Sequence, residues 1–425
     1  MMELKGKKVT VVGLGKSGVA ACNLLVKKGA QVCLTEAQDN PKIRETLKGL
    51  DPRVQDIEIG GHSERFIQDQ DLVVTSPGVA LKSLPLKWAQ EKAIPVIAEV
   101  ELAFRFCPAP VVAISGTNGK TTVTTLTGRV IEAAGRRAIV CGNIGNPFSG
   151  EVQRIGPEDL VVLEISSFQL ETIASFRPKV AAILNVTADH LDRHADFNEY
   201  VQAKCRIFMN QTADDWAVFR EDNDARFSFS RKTKAKVRYY TRTISHDERV
   251  KGFNDNFLAV MAITAALGID ERVAVETCAN FKGIEHRLEE VEQIHGVTFI
   301  NDSKGTNVDS TLWALDVVKQ PIILIAGGRD KDSDFTLIRD VMQKRVVAMV
   351  LLGEAKDKML RAFSDIVPTH TAATLAEAVE CAFRIAQPGY SVLFSPMCAS
   401  FDMFANYIER GNIFKGLVRQ LSQRS

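Results

Sequence analysis

A chain of 425 residues exceeds one ordinary domain and suggests about three, each long enough to bury its own core. With 45% hydrophobic and 25% charged residues it has the make-up of a soluble globular protein, and a formal charge of +1 gives no electrostatic ground for nucleic acid or an anionic membrane as partner. Eight cysteines without a C-x-x-C pair argue against a disulfide framework or a cysteine zinc site; with neither a signal peptide nor about 18 uninterrupted apolar residues, a cytoplasmic location is expected.

Short runs rich in Val and Ile recur between stretches of helical period: VTVVG, QVCLT, DLVVTS, VVAISG, RAIVCG, DLVVLEIS, VAAILNV, PIILIAGG, VVAMVLLG and SVLFSP. They predict an α/β protein of parallel sheets covered by helices on both faces, with ligands at the carboxyl edges of the strands. The segment FCPAP (106–110) and the polar stretch KGIEHRLEEVEQ (282–293) mark boundaries, giving expected domains 1–107, 108–284 and 285–425.

In chain order the first ligand signal is VTVVGLGKSGVAACNLL, with Gly13, Gly15 and Gly18 in G-x-G-x-x-G spacing between a strand and a helix. Such glycines let a pyrophosphate approach main-chain N–H groups at the helix start, and Glu36 at the end of the next strand can accept a ribose hydroxyl. Any diphosphate-linked nucleotide satisfies this geometry, NAD included.

The second signal follows the strand VVAIS and opens the helix TTVTTLTGRVIEAAG. Ile114 stands where the pattern G-x-x-x-x-G-K-[ST] has its first glycine, so the loop is shorter than usual. Its parts are nevertheless present: Gly116, Thr117, Asn118 and Gly119 supply a nest of amides, Lys120 a cation for terminal phosphates, and Thr121, with Thr122 beside it, a hydroxyl for Mg²⁺.

Farther on, Glu164 closes DLVVLEI and His190 lies in the loop after AAILNVTAD, so both fall at one sheet edge. Carboxylate and hydroxyl suit Mg²⁺; His190, within T-A-D-H-L-D, can ligate a metal or cap a helix, while Asp189 and Asp192 share the capping reading and are candidates to support the ligands from behind. Lys204 sits in FNEYVQAKCRIFMN, where a lysine is ordinarily solvated. The basic stretch RKTKAKVRYYTR (231–242) is expected as a solvated edge hairpin. In EHRLE, His286 and Arg287 stand at a domain junction, where an arginine often makes an ion pair. GVTFIND then leads into a further anion-friendly turn, 303–307, with Lys304 and Thr306.

G-T-N-G-K-T-T (116–122) is similar to the ATP-binding turn of the Mur ligase family, ATP-dependent amide-forming ligases of peptidoglycan synthesis with relatives that add glutamate to folate. GNIG (142–145), LEISSFQL (163–170), NVTADHLDRH (185–194), the Lys204 helix, EHRLE (285–289), NDSKGTN (301–307) and SPMCASFDMFANYIERGNIF (395–414) match the family in order, across nearly the whole chain.

The resemblance implies three domains: an N-terminal Rossmann-like domain for a UDP-linked substrate, a central ATPase-like domain of P-loop type, and a C-terminal Rossmann-like domain for the amino acid. It implies catalysis by Lys120, Lys204, His190 and Lys304. It places Gly15, Lys16, Ser17, Glu36, Ser76, Gly78 and Asn143 on the UDP substrate, and Arg287 near the γ-phosphate of ATP. It implies two Mg²⁺ ions, held by Thr121, Glu164, His190 and Lys204, the last as a carbamate; that modification requires a neutral amine, which burial favours.

The family's H-N-x-x-N helix start is altered here to 251–260, KGFNDNFLAV, leaving Asn256 as the nucleotide contact. The segment 395–411 resembles the branch that adds D-glutamate, implying Lys304, Thr306, Ser400, Phe401 and Tyr407 around the amino acid; the D-N-P-R motif of another branch is absent. The implied activity is ligation of D-glutamate to UDP-N-acetylmuramoyl-L-alanine through an acyl phosphate, by a monomer with no nucleic-acid or membrane partner. The alternatives are another Mur-type or folate-type amide ligase, or an NAD-binding protein.

Overall fold

The computed structural model describes residues 3–54, 56–187, 189, 193–241, 254–281 and 283–424. The chain divides into two compact units, Met1–Val186 with Asp196–Phe281, and Thr187–Ala195 with Lys282–Ser425.

The first unit holds two parallel sheets. One contains β1 (Lys8–Val12), β2 (Gln31–Glu36), β3 (Asp56–Ile59), β4 (Leu72–Thr75) and β5 (Val96–Ala98), in the order β3-β2-β1-β4-β5. The other contains β6 (Val111–Ser115), β7 (Ala138–Gly142), β8 (Leu160–Glu164), β9 (Val180–Ile183), β10 (Trp216–Arg220) and β11 (Lys236–Tyr240), in the order β11-β10-β9-β6-β8-β7. β6 and β8 are buried along their whole length, as unbroken apolar runs in a doubly covered parallel sheet should be.

One hydrophobic cluster runs from Val9, Val11 and Leu34 of the first sheet to Val111, Leu163 and Phe176 of the second, which is why the two pack as one unit. The helix Glu99–Phe106 fastens them with two buried acids. The Glu101 carboxylate accepts from the N–H groups of Ala174, Ser175 and Phe176, at 2.8–3.0 Å, and from Ser175 Oγ. Burial pushes its pKa up, but these donors and Arg105 outweigh burial and hold it below the ordinary value. The Glu99 carboxylate accepts from Ser149 N–H at 2.6 Å, its Oε2 is buried without a partner among the described residues, and burial pushes its pKa up to about 7.

The second unit has one mixed sheet of β12 (Glu289–Ile294), β13 (Val297–Asn301), β14 (Ile322–Gly327), β15 (Val346–Leu352), β16 (Thr369–Thr371) and β17 (Ser391–Phe394), in the order β12-β13-β17-β14-β15-β16. Only the β12–β13 pair is antiparallel; the ladders from β13 through β16 are parallel. All ten predicted apolar runs are strands. The basic stretch is corrected: Lys236–Tyr240 is an edge strand, but it pairs parallel to β10, and Phe229–Lys232 before it is a 3-10 turn, so there is no hairpin.

Candidate active site

The turn after β6 is held in shape from several elements. Gly116 (φ 149°) and Gly119 (φ 81°) lie in backbone regions that side chains avoid, and a Cβ on Gly119 would fall 2.2 Å from Asn256 Oδ1. Glycine is thus required where the helix start carrying Asn256 meets the loop. From the end of β9, Asn185 accepts Thr117 N–H on its carbonyl (2.9 Å) and Asn118 N–H on Oδ1 (2.7 Å), and returns Nδ2 to the Asn118 carbonyl (3.0 Å). The helix Lys120–Ala133 begins at Gly119 without a side-chain cap, and a helix start is a favourable place for an anion.

Two lysines converge on this turn. Lys120 Nζ donates to the carbonyls of Gly116 (2.9 Å) and Thr117 (2.7 Å), folded back over its own loop. Lys204, on the helix Phe197–Cys205, donates to the same Gly116 carbonyl at 3.0 Å and lies 4.4 Å from the Tyr200 ring centroid. Tyr200 in turn pairs its hydroxyl with Thr117 Oγ1 at 3.2 Å. Lys204 is 2% exposed, which overturns the ordinary solvated reading. Thr121 and Thr122 are buried in the first helical turn.

Glu164 ends β8 one register step from Ser115, since Ile114 of β6 pairs with it. Its Oε1 accepts from Asn143 Nδ2 at 2.9 Å; its Oε2 and the Ser115 hydroxyl are buried without hydrogen-bond partners among the described residues. Unpaired hard oxygens in a dry recess beside a phosphate turn suit Mg²⁺, which takes one or two carboxylates and completes its shell with water and phosphate. No cluster of three or more His, Cys, Asp or Glu able to hold a metal occurs among the described residues. His190 and Asp192 lie outside them.

At the N-terminal glycine turn the side chains face inward. Glu36 accepts Leu14 N–H (2.6 Å) and Gln38 N–H (2.9 Å) on its two oxygens, and Ser76 donates to the Gly13 carbonyl at 2.8 Å. A Cβ on Gly18 would meet that carbonyl oxygen at 2.0 Å, so Gly13 and Gly18 serve helix-on-strand packing. Gly15 and Lys16 are exposed, Ser17 is half-buried, and no atom crowds Gly15 or Gly78.

In the second unit the loops after β13, β14 and β17 leave the same edge of a parallel ladder. Lys304 Nζ lies 3.4 Å from the Tyr407 hydroxyl and 5.0 Å from its ring centroid. Its backbone N–H donates to the carbonyl of His286, a buried residue with φ 65°. Thr306 and Arg287 are half-buried, and Arg287 Nε has no hydrogen-bond partner among the described residues. Asp302 is enclosed, accepts from Ser395 Oγ at 2.7 Å, and is raised by burial to about 6. Asp189 pairs with Lys331 (3.5 Å) and accepts from Asn307 Nδ2 (3.1 Å). Ser400 is buried, whereas Phe401 is 60% exposed. The sequence reading carried Asn185, Asp302 and Arg410 only inside matching segments and gave none of them a role.

Residues 7–98 match the Mur ligase MurD-like N-terminal domain, residues 114–264 the Mur ligase middle domain, and residues 286–398 the Mur ligase glutamate ligase domain. The chain is 43% identical to the UDP-N-acetylmuramoylalanine–D-glutamate ligase of Geotalea uraniireducens (strain Rf4), covering 99% of both chains, and 45% identical to that of Geobacter sp. (strain M21), covering 98% of both. Among solved structures it resembles MurF ligase from Thermotoga maritima in complex with ADP (TM-score 0.60, 15% identity, 100% of this chain and 97% of that one). It also resembles UDP-N-acetylmuramate–alanine ligase MurC from the same organism (TM-score 0.58, 16% identity, 99% and 100%). At that identity the structures speak for the fold alone.

Proposed function

The chain belongs to the Mur ligase family and is an ATP-using ligase that adds D-glutamate to UDP-N-acetylmuramoylalanine in peptidoglycan synthesis; we propose the following division of labour among its residues. The reading rests on one observation: a main-chain nest at 116–119, pinned by Asn185 and packed close against Asn256, with two lysines on the Gly116 carbonyl.

Joining a carboxylate to an amine in water is uphill. The alanyl carboxylate oxygen attacks the γ-phosphorus of ATP, ADP leaves, and the acyl phosphate reacts with the D-glutamate amine; the C–N bond forms as the C–O bond to phosphate breaks, and the ammonium protons pass to solvent. Lys120 leaves its loop carbonyls to meet the β- and γ-phosphoryl oxygens, while the amides of residues 116–122 cradle them. Asn256 and Arg287 complete the nucleotide contacts. Thr121, Glu164, His190 and Lys204 would hold Mg²⁺, which supplies positive charge to the phosphoryl oxygens. Lys204 acts as a carbamate formed with CO₂ on loss of a proton; its enclosed seat beside the Gly116 carbonyl supports that role.

Gly15, Lys16, Ser17 and Gly78 face the UDP moiety directly, Glu36 and Ser76 shape that turn, and Asn143 reaches toward the sugar-peptide part. Lys304, Thr306, Ser400, Phe401 and Tyr407 receive D-glutamate. We divide the chain functionally at 1–107, 108–284 and 285–425, and read it as a cytoplasmic monomer; no helix among the described residues is long and apolar enough to cross a membrane. With both co-substrates, ATP and Mg²⁺, the purified protein releases phosphate on addition of D-glutamate and not of L-glutamate. Equal release with both, or with neither, refutes the reading.

A further inference from the structure

Arg410, on the helix Tyr407–Arg424, heads the largest fully enclosed side chains of the protein, at 2% exposure. Its hydrogen bonds all go to neutral oxygens: Nε to Ser303 Oγ (3.1 Å), Nη2 to the Ser303 carbonyl (2.8 Å), and Nη1 and Nη2 to the Cys398 carbonyl (3.2 Å each). Burial lowers its pKa only to about 10, so it is charged at neutral pH. Asp402 and Asp302 act on it through space, without hydrogen bonds among the described residues, and burial keeps the Cys398 thiol neutral with a pKa near 12. An enclosed guanidinium that lacks a bonded carboxylate is costly, and natural proteins seldom keep one without a use.

Its position supplies the use. Ser303 immediately precedes Lys304, and Cys398 lies two residues before Ser400. The guanidinium therefore ties together the loops after β13 and β17. A third loop closes over it: a Cβ on Gly328 (φ 137°) would meet the Ala399 carbonyl oxygen at 2.3 Å and Arg410 Nη1 at 3.2 Å. D-glutamate brings two carboxylates and one ammonium, hence a net negative charge. We propose that Arg410 is the positioning and charge-balancing residue of the amino-acid pocket, pinning the 303–306 and 398–400 loops and supplying the unbonded positive charge that selects a dicarboxylic amino acid. The proposal rests on the reading that these loops receive D-glutamate.

Arg410→Met, Arg410→Lys and Asp402→Asn test it by steady-state kinetics with D-glutamate and, at high concentration, D-glutamine. Arg410→Met raises KM for D-glutamate about tenfold or more and lowers its preference over D-glutamine by a similar factor, with KM for ATP and the UDP substrate within about twofold. Arg410→Lys, keeping the charge but losing the fork, recovers most of that preference. Asp402→Asn has the opposite sign: it removes an acid that offsets Arg410 and lowers KM for D-glutamate about twofold, while keeping an oxygen for the Glu354 N–H it accepts at 3.1 Å. An unchanged preference in Arg410→Met, or an unchanged or raised KM in Asp402→Asn, overturns the proposal. The second criterion stands even if Arg410→Met does not fold. A wild-type enzyme indifferent to D-glutamate would instead defeat the ligase reading, whatever Arg410 does.

Discussion

The two glycine turns of the first unit use the same residue type for different ends. At 13–18 the glycines let a helix start sit tightly on a strand, and the polar neighbours Glu36 and Ser76 spend their hydrogen bonds on the turn itself. At 116–119 the glycines make room for groups from elsewhere, Asn185 from the end of β9 and Asn256 from the helix Asp255–Ala266, and the Gly116 carbonyl receives Lys204 from the helix Phe197–Cys205. The first turn is a rigid shelf, and the proposed function puts the UDP moiety on its outer surface. In the proposed function the second is a preset nest of main-chain amides, onto which Lys120 brings its positive charge as negative charge builds up on phosphoryl oxygens. Deletions at the second should therefore cost turnover, and deletions at the first should cost affinity.

The largest effect is expected from Lys120→Ala. Removing the cation that faces the transferring phosphoryl group should lower kcat by about 10³-fold or more, read as D-glutamate-dependent phosphate release. Turnover within about tenfold of wild type would break the comparison at its root. Lys204→Ala should follow, with a loss of about 10²-fold. Short carboxylic acids should restore part of that activity by standing in for the carbamate, whereas the Lys120 variant should be indifferent to them. Rescue of both variants or of neither would mean that the two lysines, though bonded to one carbonyl, do not divide the work as described.

How much of this was legible beforehand follows from which interactions are local. The ten apolar runs announced themselves because strands buried on both faces need unbroken Val and Ile. The strands outside those runs, β3, β5, β10, β11, β12, β13 and β16, all stand at a sheet edge except β10 and β13. Edge strands can be short or charged, as Thr369–Thr371 and Glu289–Ile294 are. The phosphate turn was readable because its chemistry lies in consecutive main-chain amides. The roles of Asn185 and Arg410 were not, because each bonds loops distant in sequence, Arg410 reaching Ser303 across 107 positions. The burial of Lys204 had no local signature either, since its helix looks ordinary until the Gly116 carbonyl is placed beside it.

The joint between the two turns carries a smaller, pH-dependent effect. Glu99 titrates near 7 in the fold because burial disfavours its charge, against about 4.3 in an unfolded chain. Between those values the folded state binds more protons than the unfolded one, so stability falls as pH rises from about 4.5 to 7 and this contribution levels off above. The shift corresponds to at most about 4 kcal/mol. Glu99→Gln should flatten that part of the profile in denaturant titrations between pH 5 and 8. A profile of unchanged slope would remove Glu99 as the titrating group.

Ser76→Ala should have the smallest effect and bears most directly on the shelf description. The Ser76 hydroxyl is buried and donates to the Gly13 carbonyl, the same oxygen against which Gly18 packs. Its loss leaves that carbonyl less well satisfied and the turn slightly looser, a cost of about 1 kcal/mol. If the outer surface of the turn binds the UDP moiety passively, this appears as a rise of about threefold to fivefold in KM for the UDP substrate, with kcat and KM for ATP unchanged. A fall in kcat would show instead that the shelf takes part in organising the phosphoryl-transfer site, through the joint formed by Glu99 and Glu101, and the division between a binding turn and a catalytic turn would not hold.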